Sequence, residues 1–292
     1  MISVLISDTS DNSDTSDAPA TLVAGAVEIL NTASPAAKVS KTHQLAEQWR
    51  SGSLQIADGT TISPPERPAR PAHPALLPPR EVPKRGTGGK GRRALLHALC
   101  HIELNAIDLA WDLIARFADE LSQRLSARSF AAFCDDWVGV ADDEARHFTM
   151  LVARMSVLQT AYGDLPAHDG LWSAAFDTRR DILARLAVVP LVLEARGLDV
   201  TPGTIERLRA QNLGDDADTL EAIYRDELIH VGAGVKWFNI LADDAGLARV
   251  ETYQNLVRRY FKGRVRPPFN TSGRSQANFS RDYYENIDSE QT

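Results

Sequence analysis

Two copies of one short pattern constrain this chain more than any other feature: Asp143-Glu144-Ala145-Arg146-His147 and Asp226-Glu227-Leu228-Ile229-His230. Each places Glu-x-x-His in a stretch of helical periodicity. At about 3.6 residues per turn, positions i and i+3 share a helix face, so a Glu and a His can grip one object. Upstream of each copy, an apolar helical stretch carries one isolated glutamate, Glu103 in the first half and Glu194 in the second. The set reads Glu, Glu-x-x-His, Glu, Glu-x-x-His. A helical bundle that turns these six side chains inward can hold two metal ions.

The surroundings of Glu103 sharpen this reading. A helix predicted over 92–118 carries Leu95, Leu96, Leu99, Ile102, Ala106, Ile107, Ala110, Ile114 and Phe117 at steps of three and four, with Glu103 inside the stripe. A lone carboxylate there is expensive to bury unless it is protonated, paired or bound to a metal. Four carboxylates and two imidazoles suit two iron ions, with manganese or a mixed pair as substitutes. Four glutamate charges balance two divalent ions, so metal would contribute to the stability of the bundle. Glu103 and Glu194 are expected as outer or bridging carboxylates. Asp143 and Asp226, beside the ligating pairs, are expected to accept the Nδ1 proton of a histidine ligand, with Arg146 and Arg225 competing for them. Tyr224, one turn before Glu227, is a candidate for a radical or hydrogen-bonding role. His97 and His101 are read as structural or supporting, Cys100 as a small buried side chain, and His43 and His168 as surface groups.

Further helices are predicted over 129–162, 171–195, 201–211, 216–241 and 247–262. Gly197 is expected to stop the third of these, Pro190 to kink it, and Thr201-Pro202 to start the fourth as a cap followed by proline. The fold expected is all-α: a four-helix bundle over 94–262 with N-terminal extensions and a C-terminal helix. Residues 1–20 are rich in Ser, Asp and Thr and are expected to be disordered. Residues 21–59 should form a short helical appendage, with helices over 21–31 and 41–51. The proline-rich 60–93 should form an extended strap or linker, ending in a glycine hinge that falls short of a nucleotide-binding loop. Residues 263–292 should be a surface-bound or flexible tail.

A formal charge of −7 gives no basic footprint for duplex nucleic acid, but leaves a folded RNA such as tRNA open. The two cysteines are unclustered, the start is not that of a secretory signal, and no apolar run reaches a membrane span. The expectation is a cytoplasmic protein without membrane association.

Asp-Glu-x-Arg-His at 143–147 with Arg-Asp-Glu-x-x-His at 225–230 resembles the ligand motifs of the ferritin-like di-iron carboxylate superfamily, closer to its oxygen-activating branch than to storage ferritins. The phrases HIELNAIDLAWDL, YGDLPAHDGLW, PLVLEARGLDVTP and FKGRVRPPFN resemble the family DUF455 over most of residues 65–270. The resemblance implies a ferritin-like bundle. One departure is internal: Glu103 to Glu144 spans 41 residues, Glu194 to Glu227 only 33. The leading expectation is an O₂-dependent oxidase or monooxygenase acting on a small-molecule or macromolecule-borne substrate, with an electron-donor protein as a possible partner. A tRNA hydroxylase is one version, to which the acidic balance lends no support. Two alternatives stand beside it: a metal-handling ferroxidase without organic substrate, and a metal-stabilised structural or adaptor bundle.

Overall fold

The computed structural model describes residues 19–57 and 62–287. Most of the stretch expected to be disordered, residues 1–18, and the first two residues of the proline-rich segment lie outside the described residues. Among the described residues the fold is all-α, with two isolated β-bridges and no strand. No helix among them is long and apolar enough to cross a membrane.

Two helices open the chain, α1 (Leu22–Leu30) and α2 (Pro35–Arg50). The second starts earlier than its apolar pattern suggests, because Ser34 caps it and Pro35 takes the first-turn position where no amide partner is needed. The helices α3 (Gly89–Arg124) and α4 (Ala127–Val157) are joined by two residues. Ser126 caps α4 through Ser129 N–H at 3.1 Å. A link so short turns the chain straight back, and at the far end Cys100 Sγ donates to the Phe148 carbonyl at 3.7 Å.

The third helical region departs from expectation at both ends. It splits near its start into α5 (Gly170–Asp177) and α6 (Ile182–Val188). The Thr178 hydroxyl bonds back to the Ala174 carbonyl at 2.9 Å, and the Asp181 side chain caps α6. The chain then runs without a break through a π-helical segment, Val189–Glu194, into α7 (Ala195–Ala210). Pro190 therefore widens the helix rather than breaking it: a π turn accommodates a residue that cannot donate to the ladder. Neither Gly197 nor Thr201-Pro202 marks a boundary, because α7 packs on α8 (Gly214–Asp244) through buried Leu198 and Leu208, and that packing overrides local signals. Gly234 of α8 permits the approach: a Cβ there would stand 2.8 Å from the Pro190 ring. The antiparallel pair α4 and α8 is tied by Arg154 to Asp216 and by Asp136 to Trp237 Nε1.

Residues 62–88 run extended over α3 and the 161–169 loop. Leu77 N–H bonds the Ala167 carbonyl, Ala167 N–H bonds the Ala75 carbonyl, and Trp172 Nε1 donates to the Glu66 carbonyl. The glycines at its end form the start of α3 rather than a hinge. After α9 (Arg249–Tyr260), the tail is not a loose extension. With two short helices, α10 (Thr271–Gln276) and α11 (Arg281–Tyr284), it buries Phe279 and Tyr283 against Tyr253 and Phe238, and Tyr284 against Phe269 and Phe279. Arg274, 2% exposed, pairs there with Asp199.

Candidate metal centre

Four helical segments converge on one point inside the protein. Helix α3 contributes Glu103, α4 contributes Glu144 and His147, the π-helical segment ends on Glu194, and α8 contributes Glu227 and His230. Donor atoms of Glu103, Glu144, His147 and Glu227 all lie within 4.8 Å of one another. His147 Nδ1 is 3.4 Å from a Glu103 oxygen and 3.3 Å from Glu144 Oε2. His230 Nδ1 is 3.1 Å from Glu144 Oε1 and 3.8 Å from Glu227 Oε2. Glu144 thus stands between two imidazoles whose centroids are 5.8 Å apart. Glu103 lies on the His147 side. The groups that act on Glu194 are Glu227, Glu144 and His230, which puts it on the other. Glu103 and Glu194 thus flank the pair Glu144 and Glu227 from opposite sides.

Behind this cluster the two motifs exchange partners. His147 Nε2 is 3.0 Å from Asp226 Oδ2, and His230 Nε2 is 3.3 Å from Asp143 Oδ2. Each aspartate serves the imidazole of the other motif, because α4 and α8 run antiparallel past one another. It also meets Nε2 rather than the expected Nδ1, since both Nδ1 atoms point into the carboxylates. A proton held at Nε2 leaves the Nδ1 lone pair for a metal. Arg146 Nη2 bonds both aspartates, at 2.9 Å to Asp143 and 2.7 Å to Asp226, so it supports the pair rather than competing for one member. Arg225 turns away to the Glu221 carbonyl. The counterpart of Arg146 in the second motif is Ile229, 67% exposed, so one arginine serves both halves.

The electrostatics follow from this crowding. Burial and the charge of Glu144 push the Glu103 carboxyl well above its ordinary range. Burial, then Glu227 and Glu144, push Glu194 up to about 8. Burial and Glu144 push Glu227 up to about 7. Burial alone would depress His147, but Glu103 and Glu144 outweigh it and raise the imidazole to about 12. Burial likewise opposes ionisation of Asp143, yet His230 and Arg146 hold it down to about 2. Each of these raised values favours a proton on the crowded carboxylates and on His147.

Whether these residues fit a metal pair is answered by their unused atoms. Glu103 Oε2, Glu144 Oε1, Glu194 Oε2, Glu227 Oε2 and His230 Nδ1 are all buried without a well-formed hydrogen bond, and all but Glu194 Oε2 are met only by the ion pairs described above. Orphaned buried polar atoms are rare and costly, and here they converge. Anionic oxygens and imidazole nitrogen are the donor set of a first-row transition metal.

Five residues named from the sequence stand apart from this cluster. The Tyr224 hydroxyl accepts from Asn270 Nδ2 at 2.9 Å, so it anchors the segment before α10 and is spoken for structurally. His97 and His101 occupy the face of α3 that lies away from Glu103, His101 bonding the Tyr162 hydroxyl at 2.8 Å. Burial pushes the Cys100 thiol up, in keeping with a small inert side chain. His43, read as solvated, is 43% exposed and faces Asp142 at 2.5 Å. The π-helical segment escaped the sequence reading, although Pro190 four residues before Glu194 was its signal.

The chain matches the family described as "Protein of unknown function (DUF455)" over residues 31–285. A Haemophilus influenzae protein described as uncharacterized is 38% identical over 234 residues, covering 78% of this chain and 79% of the relative. No solved structure matches. The family match takes in α2 through α11 and all six candidate ligands, and the chain belongs to the DUF455 family.

Proposed function

We propose that the six residues hold two metal ions, iron first and manganese or a mixed pair second, in a ferritin-like bundle, and that the protein is an O₂-activating oxidoreductase. The observation that carries the reading is the convergence, from four helical segments, of five buried ligand-type atoms that lack a well-formed hydrogen bond. When bound, a reduced metal pair supplies the electrons and open coordination positions that O₂ chemistry requires.

The chain's own residues do the rest. His147 and His230 present Nδ1 inward because Asp226 and Asp143 hold the opposite proton at Nε2. Glu144, between both imidazoles, can bridge, and Glu227 stands beside it. Arg146 fixes the two aspartates from the solvent side and holds their charge against repulsion. Four glutamates balance two divalent cations, which makes the loaded site neutral and tolerable in a core. The substrate is an organic molecule, free or carried on a macromolecule, oxidised with electrons from a donor protein.

Anaerobic loading with Fe(II), followed by an optical record on adding O₂, tests this. A transient visible absorption with turnover of O₂ supports the oxidase reading. Fe(III) formation that only accumulates bound or released iron favours a ferroxidase. No reaction leaves a metal-stabilised scaffold.

A further inference from the structure

Five of the six candidate ligands steady one another. Glu103, Glu144 and Glu227 each meet a histidine, and each histidine also meets an aspartate behind the cluster. Glu194 is different. Among the described residues its side chain has no hydrogen bond and no ion pair, and its Oε2 is buried without a partner. Where Glu194 points is therefore decided by its backbone. It ends the π-helical segment, and at about 100° per residue, one residue gained or lost in the turns before it would swing it off the cluster.

A π-turn is rare inside a helix and needs support from what packs on it. Three residues supply that support. Pro190 has no amide to give an α-helical ladder. Gly234 of α8 leaves room for the widened turn, since a Cβ there would stand 2.8 Å from Pro190 and 3.2 Å from Leu191. The third comes from α9: the Tyr253 hydroxyl donates to the Leu191 carbonyl at 3.2 Å. In an α-helix that carbonyl would take the amide four residues on. Here Ala195 N–H goes instead to the Pro190 and Val192 carbonyls. Tyr253 brings a donor to the carbonyl that this amide has left.

The side chain is well held for that task. Tyr253 is fully buried, and burial pushes its phenol up, so the hydroxyl keeps its proton and donates. Its ring packs edge-on against Phe238, Phe279 and Tyr283, with centroids 5.8, 5.7 and 5.4 Å away. The C-terminal segment thus fixes the ring, and the ring's hydroxyl meets the turn.

We propose that Tyr253 is a positioning residue of the metal centre: through its bond to the Leu191 carbonyl it holds the π-turn that aims Glu194 at the ion on the His230 side. The inference rests on the metal reading and assigns the C-terminal segment a part in it. Tyr253 itself touches none of the six ligands.

Y253F tests this, because phenylalanine keeps the ring in its cage and removes only the hydroxyl. Y283F is the control: it removes a hydroxyl from the same aromatic cluster, one bonded to Asn239 at 2.6 Å rather than to the turn. Anaerobic titration of the full chain with Fe(II) against a chromophoric chelator should show one of two ions bound at least tenfold more weakly in Y253F, and the other within twofold of wild type. E194Q should weaken the same ion, and adding Y253F to E194Q should weaken it no further. In metal-free protein, the amides of residues 191–196 should exchange hydrogen at least tenfold faster in Y253F than in wild type, and at the wild-type rate in Y283F. Unchanged Fe(II) affinities in Y253F, equal weakening of both ions, the same loss in Y283F, or additive losses in the double variant would each overturn the assignment. A wild-type chain that binds no Fe(II) would bring down the metal reading and this inference with it. That failure is told apart from the others by the wild type, before any variant is compared.

Discussion

Helix α3 carries two buried acidic regions, and they are built differently. Asp108 and Asp112, each with no exposed side chain, face cations throughout: Asp108 meets Lys38 and Arg70, and Asp112 meets Arg116 and Arg185. Lys38 and Arg185 are themselves 1% exposed. One turn and more away, Glu103 faces Glu144, Glu227 and His147, with oxygens that lack a well-formed hydrogen bond. The first region is complete in counter-charge, although Arg70 Nη1 and Asp108 Oδ2 meet without a well-formed hydrogen bond, and it clamps α2, the extended segment and α6 onto α3. The second lacks positive charge, and protons fill in for it. Two sets of buried carboxylates on one helix thus separate structure from chemistry by a single criterion: whether the chain supplies the counter-charge.

The sharpest way to break the comparison is to remove a carboxylate from the incomplete set. Glu144→Ala takes away the group between both imidazoles. Metal binding should be lost altogether, and metal-dependent oxidation with it, as read by elemental analysis and O₂ uptake. Full oxidase activity in that variant would show that the ligand assignment is wrong.

The complete set should respond in stability instead. Arg185→Met strands Asp112 with Arg116 alone, and breaking a buried pair costs about 3–5 kcal/mol. Urea unfolding should show that loss with metal content unchanged. A variant that lost metal as readily as stability would erase the distinction between the two regions.

The layer behind the ligands should give an intermediate effect. Asp226→Asn removes the acceptor at His147 Nε2, and metal affinity should fall by about ten- to a hundredfold, measured by competition with a chromophoric chelator. Retained affinity would mean that Asp226 serves only Arg146.

Proton occupancy adds a pH signature. Glu194 at about 8 and Glu227 at about 7 lie above the ordinary carboxyl range, and His147 at about 12 lies above the ordinary imidazole. Groups with raised folded-state pKa values stabilise fully below their unfolded values and lose that contribution as pH rises through the folded ones. Metal-free protein should therefore lose stability between about pH 5 and pH 8 through the two glutamates, and from about pH 6.5 upward through His147, at about 1.4 kcal/mol per pH unit for each proton held only by the folded state. Metal-loaded protein should not, and metal affinity should rise over the same range as protons cease to compete. A metal-free form whose melting temperature is flat or rising there contradicts the account. The smallest effect is expected from Tyr224→Phe, which removes the bond to Asn270 at a cost of about 1 kcal/mol and leaves O₂ uptake unchanged.

Much of this contrast was readable before any coordinates. The i, i+3 spacing of Glu and His repeats twice and survives any detail of packing, so it names four ligand candidates, and the lone glutamate in each upstream apolar stretch names the other two, Glu103 and Glu194. The pairing behind them could not. Which aspartate serves which histidine depends on the antiparallel passage of α4 and α8, a tertiary fact that no local spacing encodes. The third helical region failed for a related reason. Gly197 and Pro202 are breakers in isolation, but the buried face of α7 against α8 carries the helix through them. Pro190 was rightly read as a disturbance, yet whether a proline kinks or widens a helix is decided by what packs on it, here Gly234. The complete acidic region went unread, although Asp108 and Asp112 stand one turn apart in an otherwise apolar helix, the very signal that drew attention to Glu103. Composition cannot say which buried acid has a cation waiting for it.

Metal content decides the central claim. Protein purified without chelator, or loaded anaerobically and desalted, should carry about two transition-metal ions per chain, and Glu144→Ala none. A wild-type chain that keeps no metal above background after loading would contradict the account, and leave the orphaned carboxylates to be explained by protons alone.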